Sequence, residues 1–255
     1  MSKDEKLRVA VYKFTGCAGC QMEFLRLEDE LLDLVKKIDF VYFMMAQDRN
    51  ELKSYDLCFV EGSVSTPREL EEIKMIRAQT KTLIAFGDCA ITGCVPSIRN
   101  WLSQSEVEKV VYKDTSPIRS FRLGGIGEYV PVDISLSGCP PHKDMILATI
   151  RSSLLGIRPD LQMHAVCMEC KLRENVCILT SLGNLCMGPV TRAGCGAICP
   201  TYGRECEGCY GPMSDANPSP LAAEFRKLGI NTGDLVRKFR KYAGTSNEFR
   251  EVSGI

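Results

Sequence analysis

The sequence predicts an α/β protein: a doubly wound, mostly parallel sheet, then a small irregular cysteine-rich segment, then a helical tail. Three observations predict it. Short apolar runs alternate with amphipathic stretches of helical period across residues 1–160. The runs are apolar throughout rather than alternating with polar residues, as in strands covered on both faces. Beyond Gln162 the apolar periodicity collapses and cysteine dominates as far as Pro212.

Residues 7–14 read as the first strand. Residues 22–37 read as an amphipathic helix with a broad apolar face of Phe24, Leu25, Leu27, Leu31, Leu32, Leu34 and Val35. Residues 38–46 form the second strand and 56–61 the third. Ser65-Thr66-Pro67 then opens a helix that reaches about Gln79, with Glu69, Glu71 and Glu72 near its start. Residues 82–86 and 132–136 are further strands, each ending in a loop that carries glycine and cysteine. A helix over 143–155 closes the pattern, stopped by Gly156 with Pro159 shortly after. These elements divide the chain into domains 1–160 and 161–215 and a tail, 216–255, with two amphipathic helices separated by Gly229 and Gly233. Gly124-Gly125-Ile126-Gly127 lacks the third glycine of a dinucleotide loop and follows no strand, so it reads as a surface turn.

Composition narrows the function. Of 255 residues, 45% are apolar and 25% charged, the proportions of an ordinary globular protein. Thirty-two Lys+Arg balance thirty-two Asp+Glu, so no overall field favours nucleic acid or an anionic membrane. The longest apolar runs, such as 40–46, fall far short of the roughly 20 residues of a transmembrane helix. Met1-Ser2-Lys3-Asp4-Glu5-Lys6 leads straight into the first strand without the apolar segment of an export signal, so the chain is expected in the cytoplasm. Fourteen cysteines in a reducing compartment point to metal rather than disulfides.

Four of them follow strands. Cys17 and Cys20 come after the first, Cys89 after the fourth and Cys139 after the last. A parallel sheet collects its strand C-termini along one edge, so these thiols should converge there. Each has a glycine one or two residues before it, letting the backbone approach a bulky inorganic group, and Pro140 fixes the chain leaving Cys139. Zinc accepts four thiolates, but structural zinc usually takes paired knuckles from one small module, so an iron-sulfur cluster is preferred. Eight more cysteines lie between Cys167 and Cys209, enough for two four-cysteine sites, with a pair of zinc sites as the alternative. So few large apolar residues occur there that inorganic centres are expected to replace a core. Three neighbouring thiolate sites suit an electron relay, for which zinc has no redox chemistry.

The combination of Thr15-Gly16-Cys17-Ala18-Gly19-Cys20, Val60-Glu61-Gly62-Ser63, Gly87-Asp88-Cys89-Ala90, Gly138-Cys139-Pro140-Pro141 and Cys186-Met187-Gly188-Pro189-Val190-Thr191 resembles the small subunit of [NiFe] hydrogenases. It is most similar to the cytoplasmic multisubunit type, with its sulfhydrogenase delta subunit and methanogen F420-non-reducing hydrogenase small subunit. The resemblance covers nearly the whole chain. It implies a flavodoxin-like first domain and three [4Fe-4S] clusters: proximal on Cys17, Cys20, Cys89 and Cys139, distal on Cys167, Cys170, Cys177 and Cys186, and medial on Cys195, Cys199, Cys206 and Cys209. It implies a role in conduction, from a Ni-Fe centre in a separate large subunit through proximal, medial and distal clusters to a flavin or iron-sulfur acceptor subunit. Where many relatives have a distal histidine ligand, all-cysteine ligation is expected here, leaving His164 in the linker. Cys199 fills a place that is proline in relatives with a three-iron medial cluster. A related quinone oxidoreductase subunit, which lacks the C-terminal cluster domain, and a zinc-stabilised scaffold are the rival readings.

Glu61, beside Gly62 on the same rim, resembles the family's Glu-Gly motif and is expected behind a ligand or at an interface. Cys94 stands where the family usually has glycine and oxygen-tolerant members have one of two extra cysteines. The other such place is Gly19, so the resemblance implies an ordinary four-cysteine proximal cluster with Cys94 as an unbound neighbour. Cys58 reads as a buried apolar filler, His142 as a solvent-facing loop residue and Glu23 as ordinary helix-dipole complementation. Arg237, Lys238, Arg240 and Lys241 read as a solvated helix face, with subunit docking as the competing reading.

Overall fold

A computed structural model describes residues 6–254. The charged start at Met1 to Glu5, and Ile255, lie outside the described residues. Five strands form one sheet: β1 (Leu7–Lys13), β2 (Ile38–Phe43), β3 (Tyr55–Glu61), β4 (Thr80–Phe86) and β5 (Ile134–Leu136). Their spatial order is β2-β1-β3-β4-β5 and every neighbouring pair is parallel. This is the flavodoxin-like order, whose crevice opens beyond the strand C-termini where β1 meets β3.

The first part also holds α1 (Gly19–Leu25), α2 (Asp29–Leu34), α3 (Pro67–Gln79), α4 (Asp88–Thr92), α5 (Gln104–Val111) and α6 (Lys143–Leu154). One face of the sheet packs on α1, α2 and α6 through Phe24, Leu27, Leu34, Ile146 and Ile150, and the other on α3 through Ile73 and Ile76. Phe24 sets its ring edge-on to Phe59 at 5.1 Å and Phe86 at 5.8 Å. The single helix expected over 22–37 is two. Its seven apolar residues spread too far round one cylinder to face the sheet together. A break at Glu28, φ 49, re-aims the chain so that Leu34 packs while Leu32 and Val35 stay exposed. β2 stops at Phe43 because Met44 and Met45 turn out to solvent. β5 is shorter than expected: the Asp133 carboxylate accepts the Leu83 N–H at 2.7 Å. Gly124 and Gly125 form no surface turn. They are buried, and a methyl on Gly125 would collide with the Ile91 carbonyl oxygen.

The cysteine-rich stretch carries α7 (Val166–Leu172) and α8 (Ile198–Thr201), and the tail carries α9 (Pro218–Lys227), α10 (Thr232–Arg240) and α11 (Arg250–Ser253). Gly233 lies inside α10, so Gly229 alone separates the first two tail helices. The tail is also the core that the cysteine-rich stretch lacks by itself: Leu221, Phe225, Leu235, Phe239 and Phe249 pack with Val166, Ile178, Met187 and Val190. No helix among the described residues is long and apolar enough to cross a membrane.

Candidate metal centres

The first cysteine set is assembled by loops. A backbone bridge between Thr15 and Ser63 ties the chain after β1 to the chain after β3. Ala18 takes φ 68, and α1 begins at Gly19, leaving Cys17 in the loop and Cys20 in the first turn. Cys89 lies in α4 directly beyond β4, and Cys139 in the turn beyond β5, where its peptide bond to Pro140 is cis. Cys20 is close enough to Cys89, Cys139 and Cys17 for a charge on any of them to act on it. Burial pushes the Cys20 thiol up, and Glu61 and the other three cysteines add to the shift. Gly87, at φ +86, leaves the opening: a methyl there would collide with Cys20 Sγ.

Glu61 lies under this set and is buried. Its Oε1 accepts the Cys20 N–H at 3.3 Å and its Oε2 the Gln21 N–H at 3.2 Å. α1 has no side-chain cap of its own, and this carboxylate, delivered by β3, takes that part. Burial raises its proton affinity while the two N–H groups oppose the rise. Glu61 is 1% exposed, and its carboxylate lies behind Cys20.

Cys94 is also fully buried, and its thiol lies near enough to Cys139 and Cys89 to interact with them. Their proximity draws the Cys139 thiol down to about 7 and pushes the Cys94 thiol up, with burial adding to the rise at Cys94. The Cys94 backbone, φ 45 and ψ −139, is a conformation that suits glycine.

The other eight cysteines line two cavities. Cys167, Cys170, Cys177 and Cys186 surround one of about 40 Å³ with apolar walls that include Ile178, Leu179 and Pro189. Cys195, Cys199, Cys206 and Cys209 line a larger one of about 470 Å³, which also touches Cys139 and Tyr210. Burial raises Cys167 to about 11 and Cys209 to about 12, with neighbouring thiols adding to both. The sets adjoin one another. Cys209 feels Cys139 of the first set, and the Cys206 N–H donates to Cys186 Sγ at 3.3 Å. Among the described residues, no three His, Cys, Asp or Glu side chains close tightly enough to share one mononuclear ion. Crowded thiols, with Gly87 and Gly188 leaving room beside the sulfurs of Cys20 and Cys167, fit a cationic inorganic group, whose binding would release thiol protons.

Other expected residues fall in ordinary places. Cys58 is a buried core thiol. His164 is exposed, with Nδ1 3.1 Å from the Ala165 carbonyl oxygen, and does not line the Cys167 cavity. His142 is half exposed and caps α6. Glu23 pairs with Arg26 at 2.7 Å. The basic stripe of α10 is not simply solvated. Lys238 and Lys241 each reach Glu207 at 2.8 Å, Arg240 lies 3.7 Å over the Trp101 ring, and Arg237 pairs with Asp234.

Three further residues escaped the sequence reading. Asp88 is 1% exposed beside Cys89, and burial raises its carboxyl to about 7. Arg192, from the cysteine-rich stretch, reaches Ser137 Oγ at 3.2 Å and lies near enough to Asp88 to interact with its charge. Tyr210 packs into the core of the first part. The aspartate inside Gly-Asp-Cys was a visible signal; the other two depend on tertiary contacts alone.

A flavodoxin-like sheet with thiols gathered at its C-terminal edge, continued by two further cysteine-lined cavities, defines a cysteine-rich oxidoreductase subunit. The family model described as NADH ubiquinone oxidoreductase, 20 Kd subunit, matches residues 17–153. Sulfhydrogenase 2 subunit delta of Pyrococcus furiosus is 36% identical over 238 residues, covering 93% of this chain and 99% of that protein. A vhu subunit of the F420-non-reducing hydrogenase of Methanocaldococcus jannaschii is 31% identical over 275 residues, covering 95% of this chain and 94% of that protein. A solved chain of an NAD+-reducing [NiFe]-hydrogenase in the H2-reduced state superposes with TM-score 0.58 at 26% identity, covering 62% of this chain and 96% of that one. An actinobacterial-type NiFe-hydrogenase chain from Ralstonia eutropha H16 covers 94% of this chain and 90% of its own at 16% identity and TM-score 0.57, a likeness of fold. The chain belongs to the 20 Kd subunit family and, within it, to the iron-sulfur, electron-transferring small subunits of hydrogenases.

Proposed function

We propose that this chain is the non-catalytic conducting subunit of a [NiFe] hydrogenase, with the Ni-Fe site in a separate large subunit and a flavin or iron-sulfur subunit as acceptor. Cys17, Cys20, Cys89 and Cys139 would hold a proximal [4Fe-4S] cluster. Cys195, Cys199, Cys206 and Cys209 would hold a medial one, and Cys167, Cys170, Cys177 and Cys186 a distal one. Once bound, such clusters supply one-electron transfer at potentials set by their surroundings. The observation that carries the reading is the grouping and adjacency of the thiols. Two cavities divide the eight C-terminal cysteines into the two expected fours, and Cys139–Cys209 and Cys206–Cys186 join neighbouring sets.

The chain's own residues bind, orient and exclude water. Glu61 accepts from the Cys20 backbone, Gly87 leaves room for the Cys20 sulfur, and Ile178, Leu179 and Pro189 wall the Cys167 cavity with apolar groups. The family match ends at residue 153, whereas the hydrogenase relatives extend across the cysteine-rich stretch, which favours a hydrogenase over a quinone-reducing complex. Iron and acid-labile sulfide analysis of the anaerobically purified complex tests the proposal. It requires near twelve irons for this chain, four for each cluster of this type. Zinc in the C-terminal sites would overturn it. A Cys195→Ala complex should lose one cluster signal and most H2-driven reduction of a distant acceptor, while H/D exchange partly survives.

A further inference from the structure

Glu169 stands on α7 between Cys167 and Cys170, but its carboxylate serves the neighbouring set. Oε1 accepts the Gly194 N–H at 2.9 Å and Oε2 accepts the Ala197 N–H at 3.2 Å. Oε2 is also 3.9 Å from Cys195 Sγ. The loop it grips has positive φ at Gly194, Gly196 and Ala197, so neither helix nor strand holds its shape. One turn along the same helix, Arg173 lies over Gly196, where a methyl would meet its Nη2 at 2.9 Å. Hydrogen bonds to an ionised carboxylate are roughly twice as strong as neutral ones, which makes Glu169 the principal anchor of this loop. A negative charge at that distance in a partly buried place also opposes further negative charge on the Cys195 sulfur and anything bonded to it.

We propose that Glu169 is a positioning residue: it clamps the Cys195 loop to the Cys167–Cys170 helix and lowers the reduction potential of the centre that Cys195 ligates. The inference rests on the reading of Cys195 as a cluster ligand. It is tested in the anaerobically purified complex by iron and sulfide content and by redox titration followed by electron paramagnetic resonance. Glu169→Gln keeps the side-chain shape and one accepting oxygen but removes the charge. It should retain the parent's iron and show one midpoint potential shifted upward, with the others unmoved. Glu169→Asp, which keeps the charge, should return that midpoint towards the parent value. Unmoved potentials in an iron-replete Glu169→Gln complex, or an equal shift in Glu169→Asp, would overturn the proposal. Should Glu169→Gln lose iron, the aspartate variant decides: its charge stands one methylene farther from Cys195, so a midpoint somewhat above the parent's sustains the assignment and an unmoved one defeats it. Zinc, or no iron, in the parent's C-terminal sites would instead defeat the ligand reading, and is visible before any variant is made.

Discussion

Asp88 and Cys94 place a carboxyl and a thiol beside the first cysteine set, and each makes a distinct prediction. Asp88 has its carboxyl raised to about 7 by burial, with Thr92 and Arg192 opposing the rise. A carboxyl raised on folding binds more protons in the folded state. The parent therefore loses stability as pH rises from the unfolded value, about 4, through about 7. Asp88→Asn should then raise the melting temperature more at pH 8 than at pH 5, and an equal effect at both would show that the carboxyl does not titrate this way. Cys94 should be replaceable. Serine fills the same buried place with a group of similar size, so the Cys94→Ser complex should keep the parent's iron content and proximal spectrum. Loss of that signal would make Cys94 a ligand.

At the scale of elements, α3 shows how a local cap supports the site. Thr66 and Glu69 form a reciprocal capping box, and Glu69 Oε1 also accepts from Thr15 Oγ1 at 2.9 Å, two residues before Cys17. Glu69→Ala should cost about 1–2 kcal/mol of stability. It should also speed amide exchange around Thr15 and Ser63; a loss confined to α3 would show that the link carries no load. This helix was legible because Ser65-Thr66-Pro67 and Glu69 act within a few residues of each other. The strands were legible because burial on both faces writes itself as unbroken apolar runs. The break at Glu28 was not, since Leu32 and Val35 look as apolar as Leu34 and only packing decides which is buried. The covered Gly124-Gly125 turn also depends on a distant backbone, that of α4. The cysteine sets were readable in part: strand order explains the first, while spacing alone left the division of the other eight open and only the family resemblance supplied it. Glu61 was found through its neighbour Gly62, but its grip on α1 comes from pairing β1 with β3.

Across the whole molecule, the tail ties the parts together. Thr245 Oγ1 donates to the Thr92 carbonyl oxygen at 2.8 Å, Arg240 covers Trp101, and Lys238 and Lys241 hold Glu207 between Cys206 and Cys209. Phe239→Ala, which removes a buried ring edge-on to Phe249 at 5.4 Å, should cost about 3–5 kcal/mol. It should also accelerate amide exchange at Cys186 and Cys206; faster exchange in the tail alone would mean that the cysteine-rich stretch stands without it. The sheet order has a further consequence, in time rather than space. Cys17 and Cys20 leave the ribosome long before Cys139, the last thiol of their set and one contributed from beyond β5. At roughly 5–20 residues per second the interval is on the order of ten seconds, during which these two thiols have no complete site to enter. They are open to sulfenic acid formation and disulfide exchange throughout that time. The parallel topology that gathers the thiols at one edge therefore also sets how long the earliest of them wait unprotected.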